Sequence, residues 1–138
     1  MFRHASHAPG LILALVGAVL VAGCGKSPTG PPPAGIQPQI VSVQDNFSYQ
    51  ISNVQNYTGS ATYSWQNSGT GASVNQATSV SGGAITLTLL DGAGTQVYTR
   101  TLSDNGTFPS TAGTAGKWRV RVDYAGATAT VNFSAQKL

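Results

Sequence analysis

The sequence predicts an all-β protein, a single antiparallel β-sandwich of about seven or eight strands over residues 39–138. Three observations carry that prediction. From Gln39 onward apolar side chains recur at every second position, the period of half-buried strands. No window of eleven or more residues in that stretch has helical spacing. The composition of the 138 residues is turn-rich, with 17 Gly and 7 Pro, yet 41% of residues are hydrophobic and 8% are charged. Globular chains carry about 25% charge, and disordered ones combine high charge with low hydrophobicity, so this chain has material for a core.

The elements follow in order. Residues 1–10 are polar, with one fixed positive charge at Arg3, and lead into the apolar run Leu11 to Val21. This is the layout of a signal peptide, here spanning residues 1–23. The run would extend roughly 16 Å as a helix, about half of a bilayer's hydrocarbon core, which argues against a permanent span. Residues 24–38 include five prolines and almost no side chain able to join a core, apart from Ile36. They read as a Pro/Gly-rich tether, and in polyproline II at about 3.1 Å per residue they could lift a domain up to roughly 40 Å from a membrane.

In the domain, Phe47, Tyr49 and Ile51 alternate with polar residues, as do Tyr63 and Trp65, and Ile85, Leu87 and Leu89. Val97 centres a further strand. Trp118, Val120, Val122 and Tyr124 alternate strictly, and Ala127, Ala129, Val131, Phe133 and Ala135 continue the pattern. Asp91-Gly92-Ala93-Gly94 and Asp104-Asn105-Gly106 read as turns. Ala125-Gly126 reads as a hairpin joining the last two strands. The roughly 115 residues behind the signal peptide bury about two-thirds of their unfolded surface, enough for one core without disulfides.

Two segments resemble known families. Val21-Ala22-Gly23-Cys24 resembles the lipobox of bacterial lipoproteins, an aliphatic and two small residues before a cysteine. The resemblance implies a diacylglyceryl thioether on Cys24, cleavage just before it, and membrane lipid as the partner that holds the chain at the bacterial cell envelope. Gly25, in place of the Asp that marks inner-membrane retention, implies the outer membrane. Lipidation would also consume a thiol that has no partner, since Cys24 is the one cysteine. The second segment covers roughly residues 82–135. A strand ending in Asp91-Gly92 and a later strand with Gly116 and Trp118 resemble the small immunoglobulin-like or jelly-roll sandwiches appended to bacterial secreted proteins. That resemblance implies fold, not activity.

The residues that could carry chemistry are few. Both histidines, His4 and His7, precede Cys24, and the chain contains no glutamate. The remaining acids are Asp45, Asp91, Asp104 and Asp123. An aspartate-dependent hydrolase would need two of them in one cleft, and three lie in or beside predicted turns, where Asp commonly bonds backbone. A Ser-Lys pair through Lys26 or Lys117 is formally available. Zinc lacks ligands, and calcium has only Asp91 with Asp104 or Asn105, in no calcium-loop motif. Gly23 to Ser27 ends like a phosphate-binding loop, but Leu20 stands where that motif needs glycine.

Lys117, Arg119 and Arg121 share one strand face. They read either as a solvated face that discourages edge pairing or as a stripe for an anionic lipid or polysaccharide. Loss of Arg3 leaves six Lys/Arg against four Asp, a net +2 that is small for nucleic acid. Tyr57 and Tyr98 break the inward alternation of the aromatics and are the residues to stack on a sugar ring. The expectation is therefore a non-enzymatic lipoprotein without cofactor or metal, presenting a binding or structural sandwich to an envelope protein or glycan. A carbohydrate-binding module is the alternative.

Overall fold

The structure, a computed structural model, describes residues 37–138. The lipobox residues Val21, Ala22, Gly23 and Cys24 and the tether up to Ile36 lie outside the described residues. Among the described residues there is no helix, and all seven strands pair antiparallel: β1 (Gln39–Val43), β2 (Asn46–Asn67), β3 (Ala72–Gln76), β4 (Ser79–Leu90), β5 (Gln96–Thr101), β6 (Gly106–Pro109) and β7 (Gly116–Lys137).

The frame is one pair of strands. β2 and β7, 22 residues each, run side by side from Asn46 opposite Gln136 to Asn67 opposite Gly116. Register shifts interrupt that pairing three times between Ile51 and Gly59, and β4 has matching shifts between Val80 and Ala84. Each bulge adds a residue to one side of the ladder and bends the strand. The bend doubles β2 over on itself. Phe47 and Tyr63 have ring centroids 6.2 Å apart, and Tyr49 and Tyr63 5.6 Å, whereas fourteen residues of straight strand would span about 48 Å.

A single sheet is thereby folded into two layers. The first holds β1, the opening half of β2, the closing half of β7, β3, β6 and the start of β4. The second holds the closing half of β2, the opening half of β7, the rest of β4, and β5. The alternation read from sequence points inward as expected. Phe47, Tyr49, Ile51, Trp65, Ile85, Leu87, Leu89, Trp118, Val120, Val122, Val131 and Phe133 are all buried between the layers. Trp65 and Trp118 meet edge to face at 5.7 Å, and the Trp118 indole donates to the Thr114 carbonyl at 2.8 Å.

One sequence expectation is corrected. Ala125-Gly126 does not turn a hairpin, because β7 continues through it while still paired to β2. Gly126 takes a left-handed φ of 57° and donates its N–H to the Thr58 hydroxyl at 2.8 Å. The glycine bends the strand without reversing it. The other turns form as read. Asp91 to Thr95 close the β4–β5 hairpin with Gly94 at φ 84°, and Asp104-Asn105 lead into β6.

Candidate functional site

Two surface features stand out from the fold. The first is the outer face of the second layer. Over residues 119–124, β7 is flanked on one side by β2 and on the other by β4, so Arg119 and Arg121 stand on a central strand, and Lys117 pairs with Gln66 of β2 just beyond the end of the β4 ladder. The edge-protecting reading therefore does not apply to Arg119 and Arg121, which have a paired strand on both sides. Arg119 lies between Ser64 and Leu90, and Arg121 lies between Thr62 and Thr88. Alternate residues Trp118, Val120 and Val122 are fully buried, which fixes the three cations outward. Arg121 is ion-paired with Asp123 at 3.0 Å.

The second feature is a shallow groove of about 220 Å³ where the first layer begins to bend. Asn53, Gln55, Ser79, Ser81, Thr128 and Thr130 line it, with Val54 and Ala129 at its floor. The bulges of β2 and β4 create it. Asn53 and the neighbouring Asn56 are held at left-handed φ values of 57° and 43°, a conformation that asparagine tolerates better than most residues. Asn56 N–H donates to the Thr128 hydroxyl at 3.1 Å, and the Ser81 hydroxyl to the Thr128 carbonyl at 3.1 Å. The rim offers amide and hydroxyl groups that both donate and accept. It carries no charge.

The aspartates are spread out. Asp45, at φ 66° in the β1–β2 turn, accepts from the Ser68 N–H at 2.7 Å and the Ser68 hydroxyl at 2.8 Å, and pairs with Lys137 at 3.1 Å. Those backbone and side-chain bonds hold its carboxyl below the usual range. Asp91 is 3% exposed. Its carboxylate accepts from the N–H groups of Ala93, Thr95 and Thr114 at 2.8–2.9 Å, led by Thr114 in lowering its pKa. Asp104 pairs with Arg100, and Asp123 with Arg121. The structure brings no two of the four into one cleft, so the paired-carboxylate arrangement does not form. Asn105 accepts from the Thr78 N–H and Asp91 is committed to backbone. Among the described residues no group of three or more His, Cys, Asp or Glu gathers to hold a metal ion.

The Ser-Lys contact that does form was invisible in the sequence. The Lys137 ammonium lies 3.2 Å from the Ser68 hydroxyl, across 69 residues. It also faces the Asp45 carboxylate, so it closes an ion-paired clamp on the C-terminus and offers the hydroxyl no free base. Tyr57 is half-buried and meets Tyr124 edge-on at 5.2 Å. Tyr98 is 7% exposed, and its hydroxyl donates to Gln76 Oε1 at 2.6 Å, while Gln76 Nε2 donates to the carbonyls of Thr101 and Asp104. The two tyrosines are thus anchored to different partners.

Inside the bend Tyr49 and Tyr124 share a hydrogen bond of 2.6 Å between their hydroxyls, with Tyr63 packed beside them. Burial raises all three pKa values, that of Tyr124 to about 12. These phenols stay protonated and serve as core.

Among the described residues, geometry therefore defines an all-β sandwich with a cationic strand face and a neutral groove. No protein-family model matches the chain, and no curated protein matches it. Among solved structures, one similar chain is CsCBM6-3 from Clostridium stercorarium in complex with cellobiose, with 22% identity, a TM-score of 0.40, and coverage of 80% of this chain and 87% of that one. Another is the CBM22-1 xylan-binding domain of Paenibacillus barcinonensis Xyn10C, with 11% identity, a TM-score of 0.40, and coverage of 79% and 86%.

Proposed function

We propose that this chain is a bacterial lipoprotein, anchored at the cell envelope by acylated Cys24, that displays a non-enzymatic β-sandwich binding domain on a Pro/Gly tether. The observation that carries the reading is Val21-Ala22-Gly23-Cys24 placed directly behind an apolar run of eleven residues. The domain supports it in one respect. Its core of packed aromatic and aliphatic side chains uses no cysteine, which leaves the chain's single thiol for a task outside the fold. Two or three acyl chains would hold far more firmly than the one chain that binds only marginally. The test is metabolic labelling with palmitate. Wild type incorporates label and Cys24→Ala does not; a wild-type chain that stays unlabelled, or begins at another residue, overturns the anchor. Gly25 after the cysteine favours the outer membrane.

A second reading concerns what the domain binds. The uncharged groove at Asn53, Gln55, Ser79, Ser81, Thr128 and Thr130 favours a neutral glycan, whose hydroxyls match a rim of donors and acceptors. Tyr57, two residues beyond Gln55, half-buried and edge-on to Tyr124, is the aromatic that this reading tests for stacking on the sugar. Under this reading cell-wall polysaccharide retains the wild-type domain, while Gln55→Ala and Tyr57→Ala are released. Asn53→Gly keeps the left-handed backbone and removes only the amide. Retention equal to wild type in all three variants ends the glycan reading.

A further inference from the structure

We propose that the outer face of the second layer, centred on Lys117 and Arg119, is a docking surface for the anionic headgroups of a lipid bilayer. The starting point is how the charges are matched. Five cations lie among the described residues, and three of them have an aspartate: Arg100 with Asp104 at 3.4 Å, Arg121 with Asp123 at 3.0 Å, and Lys137 with Asp45 at 3.1 Å. Asp91 is committed to backbone N–H groups. Lys117 and Arg119 are left without an ion pair among the described residues. They stand two residues apart on one strand, roughly 7 Å from each other, and Arg121 extends the row.

The surroundings of the row fit a flat anionic surface better than a single small anion. The neighbouring strands present uncharged donors beside the row, Ser64 and Gln66 from β2 and Thr88 from β4. Asp123 stands on the same face and neutralises Arg121, so what meets a plane of phosphates is Lys117 and Arg119 set among hydroxyls and the Gln66 amide. The opposite face of the molecule differs. There Ser48 lies across from Ser134, Gln50 from Asn132, and Asn75 from Ser134, with no charge among them. Near an anionic membrane the fold would orient with its cationic side down.

Two cations would not hold a free protein on a bilayer. The inference rests here on the lipid anchor, because a tether reaching at most roughly 40 Å would keep the domain at high local concentration beside the headgroups. Weak attraction is then enough to set orientation.

The test separates docking from anchoring. The seven strands all lie between Gln39 and Lys137, so the chain from Cys24 to Leu138 is coupled through its one thiol to a maleimide lipid, whether or not a cell would acylate it. Vesicles are either pure phosphatidylcholine or phosphatidylcholine mixed with phosphatidylglycerol. Lysine acetylation is then read by mass spectrometry at Lys117, with Lys137 on the Asp45 clamp as the internal reference. On the anionic vesicles Lys117 labelling falls about fivefold relative to neutral vesicles, the factor one near-surface cation contributes, while Lys137 is unchanged. The protection disappears in high salt and in the Arg119→Gln/Arg121→Gln variant. Equal labelling of Lys117 on both vesicles, or equal protection of Lys117 and Lys137, overturns the docking face and leaves the anchor untouched. An unlabelled chain in the palmitate experiment overturns the anchor and leaves this result standing.

Discussion

At the scale of single residues, Asp91 shows what an acid does in a chain with so few. Its two carboxylate oxygens accept three backbone N–H bonds, from Ala93, Thr95 and Thr114, and so fasten the β4–β5 hairpin to the segment that leads into β7. Asp-Gly made the hairpin legible, but nothing in the sequence tied it to Thr114, 23 residues on. The fold lowers the Asp91 pKa below its ordinary 3.8, so the carboxylate binds its proton less tightly when folded than unfolded. The stability it contributes is whole above pH 3.8 and is lost as the pH falls through the folded value. We expect Asp91→Asn to lower the melting temperature at pH 7 more than Asp104→Asn, whose carboxylate has only an exposed partner. The gap should close when melting is followed by circular dichroism down to pH 2, and a gap independent of pH would contradict the assignment. Tyr98 illustrates the opposite case. It drew notice because Val97 and Tyr98 break the alternation, and the cause is the register shift at Leu89/Leu90, which turns two successive side chains inward. A bulge and an exposed aromatic look alike in a sequence.

At the scale of elements, period-two alternation gave the direction of nearly every core side chain but not the length of the strands. Phe47 to Ile51 and Tyr63 to Trp65 read as separate strands, as did Trp118 to Tyr124 and Ala127 to Ala135. Each pair is one bent strand of 22 residues, because residues 52–58 stay paired through bulges that look like loop in sequence. The bend has a glycine hinge. Gly83 takes φ 67°, and a Cβ there would run into the carbonyl oxygens of Gly126 and Ala125 on β7. Neighbouring Gly82 has an ordinary φ, and its nearest atom to such a Cβ is 3.6 Å away on Thr128. Gly83→Ala should therefore cost about 2 kcal/mol or more in urea unfolding, from backbone strain alone of about 1–3 kcal/mol plus the clash. Gly82→Ala should stay within about 0.5 kcal/mol of wild type or gain slightly from a stiffer unfolded chain. Equal effects at the two glycines would show that the chain reverses here in some other way.

At the scale of the whole molecule, which halves of β2 and β7 face each other depends on where the sheet folds, and no local pattern encodes that. The consequence is a cluster of phenols drawn from distant positions: Tyr49 and Tyr63 from opposite halves of β2, and Tyr124 from β7, with the Tyr49 and Tyr124 hydroxyls 2.6 Å apart. Desolvation is the main cause of the raised pKa in all three, and repulsion between the charged forms adds to it in each, while the hydrogen bond from Tyr49 lowers that of Tyr124 in part. A phenol raised above its unfolded value of 10 keeps its proton longer in the fold than in the unfolded chain. Its contribution is complete below pH 10 and is lost as the pH climbs toward the folded value, about 12 for Tyr124. The sandwich should then resist alkali up to about pH 10 and unfold cooperatively above it. Tyrosinate absorbance at these buried rings should rise together with the loss of near-ultraviolet circular dichroism, as one transition. Tyr49→Phe removes one titrating group and leaves Tyr124 with a hydroxyl facing carbon, so it should shift that alkaline midpoint upward while lowering stability at pH 7 by about 1 kcal/mol. Ionisation of the buried rings well before unfolding would mean that water reaches the bend, and the two layers could not then be packed as described.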